Sequence, residues 1–309
     1  MVSYFQCMAR LLSLVLVVSL ILPATANPAS PRDALVVSAA WVAKRLKDPA
    51  LVLLHVGDRA DYASGHIEGA RQVSLPDISV SDRTGLGSGL TLEMPDAATL
   101  REKFMSLGIS DDSRIVVYFG NAPFQSATRV VFTLDYAGLG EQTSLLDGGL
   151  AAWVREGRAL TGVVPEVPRG RLKPLTIRPL VVSKEEVKPS TGARARVIVD
   201  ARHEEFYSGA RSGGGMLGSH RAGHIQGAVS LPFTELTDAR LMLHSPEELA
   251  ARFASAGVKP GDTVLAYCHL GQQATAVLFA ARTLGHKVLL YDGSFEDWTR
   301  FAEYPVVKP

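Results

Sequence analysis

Cys268 ends the apolar run Thr263-Val264-Leu265-Ala266-Tyr267. The short loop His269-Leu270-Gly271-Gln272-Gln273 leads from it into a helix-patterned stretch, Ala274 to Leu284. A thiol between a strand end and a helix start meets backbone N–H groups and the positive end of a helix dipole, and both favour the thiolate. Such a sulfur is a nucleophile whose pKa is expected below the free-thiol value of about 8.5. The only other cysteine, Cys7, lies in an N-terminal leader. A lone cysteine without this setting is most often a small buried hydrophobe.

Further candidates lie at the end of another apolar run, Ile198-Val199-Asp200-Ala201-Arg202. Asp200 is placed to order the loop or Arg202 by hydrogen bonding. By itself Arg202 reads as half of a buried ion pair with a carboxylate. Arg211 and Arg221 lie in the glycine-rich insertion before His224. By themselves they read as solvated loop residues. His269 would lower the Cys268 pKa if protonated, but an exposed imidazole is mostly neutral at neutral pH. None of the eight histidines makes a metal-ligand set with Cys268. Gly213-x-Gly215-x-x-Gly218 matches the dinucleotide fingerprint in form, but it neither follows a strand directly nor opens a helix, so it is read as a loop.

The elements that must position these residues occur twice, about 145 residues apart. His66-Ile67-Glu68-Gly69-Ala70 answers His224-Ile225-Gln226-Gly227-Ala228. Arg114 to Phe119 answers Thr263 to Cys268, and Leu146-Asp147-Gly148 answers Tyr291-Asp292-Gly293. Short β-branched runs (Leu51 to Val56, Val197 to Asp200) alternate with helix-patterned stretches (Ala97 to Leu107, Val130 to Leu139, Pro246 to Ala256). That alternation predicts an α/β fold, each half a mainly parallel sheet flanked by helices. Prolines 165, 168, 174 and 179 mark a stiff connection. The expected division is a leader over 1–26, a first domain over 30–163, a linker over 164–177 and a second domain over 178–309.

In the leader, Arg10 precedes an apolar core, and Ala24-Thr25-Ala26 follows Pro23. This predicts a signal peptide cut after Ala26 and a periplasmic or secreted protein. The formal net charge of +1 falls to zero without Arg10, so nothing calls for nucleic acid, and no later segment is long and apolar enough to span a membrane. One cysteine in the mature chain leaves no internal disulfide.

Asp200-x-Arg202, Gly223-His224-Ile225-x-Gly227-Ala228, the Cys268 loop and Asp292-Gly293-Ser294-Phe295-x-x-Trp298 resemble the rhodanese superfamily in its tandem form. That superfamily comprises the thiosulfate and 3-mercaptopyruvate sulfurtransferases. The resemblance implies two rhodanese-like domains, the first inactive, with Phe119 where Cys268 stands and His55 and Gly57 where Asp200 and Arg202 stand. It implies that Cys268 takes the outer sulfur of a donor, becomes a persulfide and passes the sulfur to cyanide, a thiol or a thioredoxin-like protein, without a cofactor. The N–H groups of His269, Leu270, Gly271, Gln272, Gln273 and Ala274 would cradle the charge. The loop matches neither the basic thiosulfate type nor the Gly-Ser-Gly-Val-Thr mercaptopyruvate type, so a cation is expected from Arg202, Arg221 or Arg211. Two other readings remain: a non-catalytic persulfide sensor or sulfur carrier, and a cysteine phosphatase. The second would need an arginine at Ala274.

Overall fold

The computed structural model describes residues 30–82, 89–188, 196–215 and 218–309. The expected leader, its expected cleavage site after Ala26 and Cys7 lie outside the described residues.

Leu51–Val56 is apolar except for His55 and buried at every position, as a strand covered on both faces must be. It is β2 of the first half. There, α1 (Pro31–Leu35), β1 (Val36–Val37) and α2 (Ala39–Ala43) precede β2, and α3 (Arg59–Ser64) and β3 (Arg71–Val73) follow it. Next come α4 (Ala97–Ser106), β4 (Arg114–Phe119), α5 (Phe124–Tyr136), β5 (Thr143–Leu146) and α6 (Gly149–Arg155). The second half begins with β6 (Val181–Val182), α7 (Lys184–Val187), β7 (Arg196–Asp200) and α8 (Glu204–Tyr207). The short strands β8 (Gly214–Gly215), β9 (Gly218–Ser219), β10 (His224–Ile225) and β11 (Val229–Ser230) follow. The chain closes with α9 (Pro246–Ser255), β12 (Thr263–Tyr267), α10 (Gln273–Thr283), β13 (Lys287–Tyr291), α11 (Ser294–Trp298) and β14 (Val306–Val307).

The two five-stranded sheets have one topology. The first runs β1-β5-β4-β2-β3 and the second β6-β13-β12-β7-β11, with every neighbouring pair parallel. The expected α/β fold of two mainly parallel sheets flanked by helices is what forms. β8 with β9, and β10 with β14, make small antiparallel pairs beside the second sheet.

Alternate strand residues serve different cores. Val52, Leu54, Ile115, Val117 and Phe119 belong to a core that also takes Val264, Ala266 and Cys268 from the other half. Leu53, Val116 and Tyr118 face an outer cluster with Trp153, and Leu265 and Tyr267 face its counterpart with Phe295 and Trp298. Helices α5 and α10 pack against each other within the shared core. Their related threonines, Thr128 and Thr275, are hydrogen-bonded at 2.9 Å.

Helix starts and stops follow capping chemistry. Ser245 and Glu248 form a capping box at α9 behind Pro246, and Asp96 accepts the Thr99 amide at α4. The largest boundary difference is α5. The sequence periodicity suggests Val130 as its start, but Phe124 to Arg129 are helical as well. Phe124 is buried edge-on against Phe119, centroids 5.8 Å apart, and that contact draws the longer first-half loop into the helix.

The proline-marked segment runs extended along the first half. Gly170 donates to the Met105 carbonyl at 2.8 Å, Asp111 to that of Arg171, and Arg101 to that of Leu172. No helix among the described residues is long and apolar enough to cross a membrane.

Candidate active site

Parallel sheets carry their sites at the carboxyl ends of strands, where loops open toward the next helix. Cys268 is the first residue past β12 and α10 starts at Gln273, so four residues turn the chain between them. The turn needs a left-handed residue, and Gly271 supplies it at φ +77°. A Cβ there would stand 2.7 Å from Asp292 Oδ1, so no other residue fits. The turn aims the amides of Ala274, Leu270, Gln273 and Gly271 at the sulfur. These are four of the six expected cradle donors, His269 and Gln272 not being among them, and two of the four, Gln273 and Ala274, come from the first turn of an eleven-residue helix.

Behind the thiol, Ser294 is held at φ +51° and fully buried. Its hydroxyl donates to the Tyr291 carbonyl at 2.8 Å and accepts the Cys268 amide at 3.2 Å. The Phe295 amide binds the Cys268 carbonyl at 3.0 Å, and the Glu296 amide the His269 carbonyl at 3.1 Å. The Asp292-Gly293-Ser294 motif is thus the back wall of the cysteine loop.

The thiol itself corrects one expectation. It is 1% exposed, and burial pushes its pKa up, against the four amides that pull it down. The outcome is a raised pKa, where the loop geometry alone suggests a lowered one. Dehydration of the sulfur outweighs the cradle. His269 does not supply a charge either. Burial, with Arg202, His220, His203 and Arg211 nearby, pushes its pKa down to about 3, so the imidazole is neutral.

The three arginines part company. Arg202 is the buried ion pair: Nε donates to Asp200 Oδ1 at 2.9 Å and Nη2 to Oδ2 at 2.6 Å, both residues being fully enclosed. Nη2 also reaches the Gly223 carbonyl at 2.7 Å, and the guanidinium lies 3.9 Å from the centre of the Phe295 ring. Asp200 further accepts the Tyr267 hydroxyl at 2.6 Å, so its ordering role stands on three hydrogen-bonding groups. Arg221 is not free for a donor. Its Nη2 donates to the carbonyl of Trp298, a helix-end oxygen of α11, and to those of Phe301 and Tyr304 in the chain that follows. Arg211 lies at the rim, exposed, paired with Glu205 at 2.8 Å. It lines a hollow of about 640 Å³ with His203, Glu205, Phe206, His269 and Gln273.

Sequence reasoning missed His220. It is 6% exposed, its ring is 5.8 Å from that of His269, and neither of its nitrogens has a partner among the described residues. Among the described residues His269 Nδ1 and Gln273 Oε1 are also buried without partners. The glycine-rich insertion folds back over this group, with the His220 amide on the Gly213 carbonyl at 2.9 Å and Gly213 against the His269 ring. Also missed were Arg129, Thr128 and Ser126, which reach the cysteine loop from the first half. Thr128 carried a signal, as the counterpart of Thr275; the other two carried none. The recurring His66 and His224 are structural: each stacks on a tyrosine (Tyr62, Tyr207) and bonds that tyrosine's carbonyl at 2.9 Å. Among the described residues no group of three or more possible ligands could hold a metal ion.

The model of the rhodanese-like domain matches this chain twice, over residues 38–156 and 183–301. The 3-mercaptopyruvate sulfurtransferase of Escherichia coli K12 is 32% identical over 87% of this chain and 96% of its own length. The thiosulfate sulfurtransferase of Pseudomonas aeruginosa is 30% identical over 88% and 96%, and the sulfur carrier protein TtuD of Thermus thermophilus matches at the same identity and coverage. The solved structure of YnjE shares the fold, with a TM-score of 0.78 at 20% identity over 89% of this chain and 68% of that one. The chain therefore belongs to the rhodanese-like family, as a sulfurtransferase with two such domains in tandem.

Proposed function

We propose that Cys268 carries the transferred sulfur as a persulfide and that the preferred donor bears a single charge, as 3-mercaptopyruvate does, in preference to dianionic thiosulfate. The Cys268 thiol gives up its proton to water, and the thiolate attacks the donor sulfur (the single sulfur of 3-mercaptopyruvate, the outer one of thiosulfate). The bond from that sulfur to the donor breaks, its electron pair leaves with pyruvate enolate (or sulfite), and the enolate takes its proton from water. A thiolate or cyanide then attacks the outer persulfide sulfur, and Cys268 leaves as thiolate. The four amides stabilise the anionic sulfur at each stage.

The observation that supports the donor preference is the charge inventory. Arg202 is neutralised by Asp200 and Arg211 by Glu205, Arg221 is turned onto three backbone carbonyls, and His269 is uncharged. A dianion gains little in such a place, while one carboxylate can be met by neutral N–H donors such as His220 and His269. The test is steady-state kinetics with both donors, with mass spectrometry for an adduct of about 32 Da, one sulfur atom, on Cys268. A higher kcat/KM for thiosulfate would refute the preference.

The acceptor side is open at the rim, and the Thermus relative is named a sulfur carrier, which supports a protein acceptor such as a thioredoxin-like thiol. The leader supports a periplasmic or secreted location. N-terminal sequencing of the mature protein would show Asn27 first if the cut falls after Ala26.

A further inference from the structure

The domain that holds no thiol fastens the loop that cradles one. Arg129, on α5, is 1% exposed. Its Nη1 donates to the Gly271 carbonyl at 3.1 Å and to Asp292 Oδ1 at 2.6 Å, and its Nη2 donates to the Leu92 carbonyl. Two neighbours on the same helix act beside it: Ser126 accepts Gln272 Nε2 of the loop at 2.9 Å, and Thr128 bonds Thr275 in the first turn of α10.

Gly271 is the hinge of this arrangement. Its amide is one of the four aimed at the sulfur, and its carbonyl is the group Arg129 holds. Glycine in a left-handed turn is the residue with most freedom to rotate away from the required geometry. A guanidinium fixed at three points removes that freedom, because its donors diverge in one rigid plane. We propose that Arg129 is a positioning residue for sulfur transfer: it acts across the domain boundary, through the Gly271 carbonyl, to fix the Gly271 backbone and keep the amide cradle aimed at Cys268. The inactive domain is then part of the catalytic apparatus and more than a wall of the pocket.

A simpler role would be an ion pair that joins the halves through Asp292. Two variants of the full chain separate the roles. Arg129→Lys keeps a cation beside Asp292 but cannot also reach the Gly271 and Leu92 carbonyls. Arg129→Gln combined with Asp292→Asn removes both charges, and the side-chain carbonyl left by the second change can still accept the Met94 amide that Asp292 takes at 2.7 Å. Both variants are expected to keep a thermal midpoint near wild type. In both, kcat falls about 10- to 100-fold, the size of losing aimed donors, with KM within about twofold. Alkylation of Cys268 by iodoacetamide slows and its pH midpoint rises, as an untended thiolate requires. Alkylation needs no donor, so this result is separable from any failure of the donor assignment. Wild-type kcat and alkylation in either folded variant would overturn the proposal. So would a loss of activity in proportion to the folded fraction alone, which shows a purely structural ion pair.

Discussion

At the end of β4 the chain places Phe119; at the matching end of β12 it places Cys268. Around Phe119 the sheet has the same strand order, and the following helix enters the same core, yet the polar surroundings differ throughout. His55 stands where Asp200 does, and its Nε2 meets Asp61 at 3.0 Å instead of ordering an arginine. Asp61 also takes the amide and side chain of Asn121, so the strand-end groups close on themselves. Gly149, at φ +55°, occupies the place of Ser294. A Cβ there would stand 2.6 Å from the Phe119 carbonyl, so the first half has no room for the hydroxyl that braces the Cys268 amide. A rhodanese-like sheet alone therefore makes no site. Loop length, one serine in a left-handed turn and a guanidinium from the opposite half convert a strand end into a sulfur cradle.

The sharpest break of this comparison is at the sulfur. Cys268→Ser abolishes transfer and the persulfide adduct while the protein stays folded, because a hydroxyl is a far weaker nucleophile. Adding Phe119→Cys to that variant restores nothing, since a thiol at Phe119 has neither the bracing serine nor a matching loop. Persulfide on the new thiol at near the wild-type rate would show that the surroundings of the two strand ends are irrelevant.

Next in size is the strand-end ion pair. Arg202→Met leaves Asp200 charged and enclosed, and should cost about 3–5 kcal/mol in urea unfolding. Adding Asp200→Asn should recover much of that loss. A cost below about 1 kcal/mol for the single variant would mean that the pair is no internal brace.

The thiol's burial gives a pH signature. A raised pKa keeps the sulfur protonated at neutral pH, so thiolate, and with it the alkylation rate of the donor-free protein, increases as pH rises. The midpoint is expected above the ordinary free-thiol value of about 8.5. A midpoint well below that value would show that the amides outweigh burial.

The smallest effect is at Ser294→Gly, which imports the first-half residue. Glycine relieves the left-handed strain but leaves the buried Cys268 amide without its acceptor. A net loss of about 1 kcal/mol and a several-fold fall in kcat are expected. An unchanged kcat would remove the serine from the comparison.

The duplicated architecture was legible because it rests on apolar runs and on paired motifs whose spacing repeats. The cysteine loop was legible for a similar reason, since strand, glycine turn and helix start are local. What stayed hidden was made by distance in the chain. Arg129 meets Gly271 only because α5 packs on α10, and no periodicity in either helix encodes that meeting. Arg221 reads as a loop cation until the chain at and beyond the end of α11 offers it three carbonyls. The thiol's raised pKa depends on how dry the closed pocket is, which residue types do not specify. His220 lies in a glycine-rich stretch whose fold over His269 has no local signature.

One further consequence concerns how the molecule comes apart. Asp147 accepts the Leu243 amide at 2.8 Å from the second half, and Asp292 accepts the Met94 amide at 2.7 Å from the first. With the inward core drawing residues from both sheets, neither half has a complete interior of its own. Melting should then be one cooperative event, with calorimetric and van't Hoff enthalpies in agreement, although two domains would ordinarily give two transitions. For the same reason a protease cut in the proline-rich connection should leave an active nicked protein whose fragments separate only in denaturant.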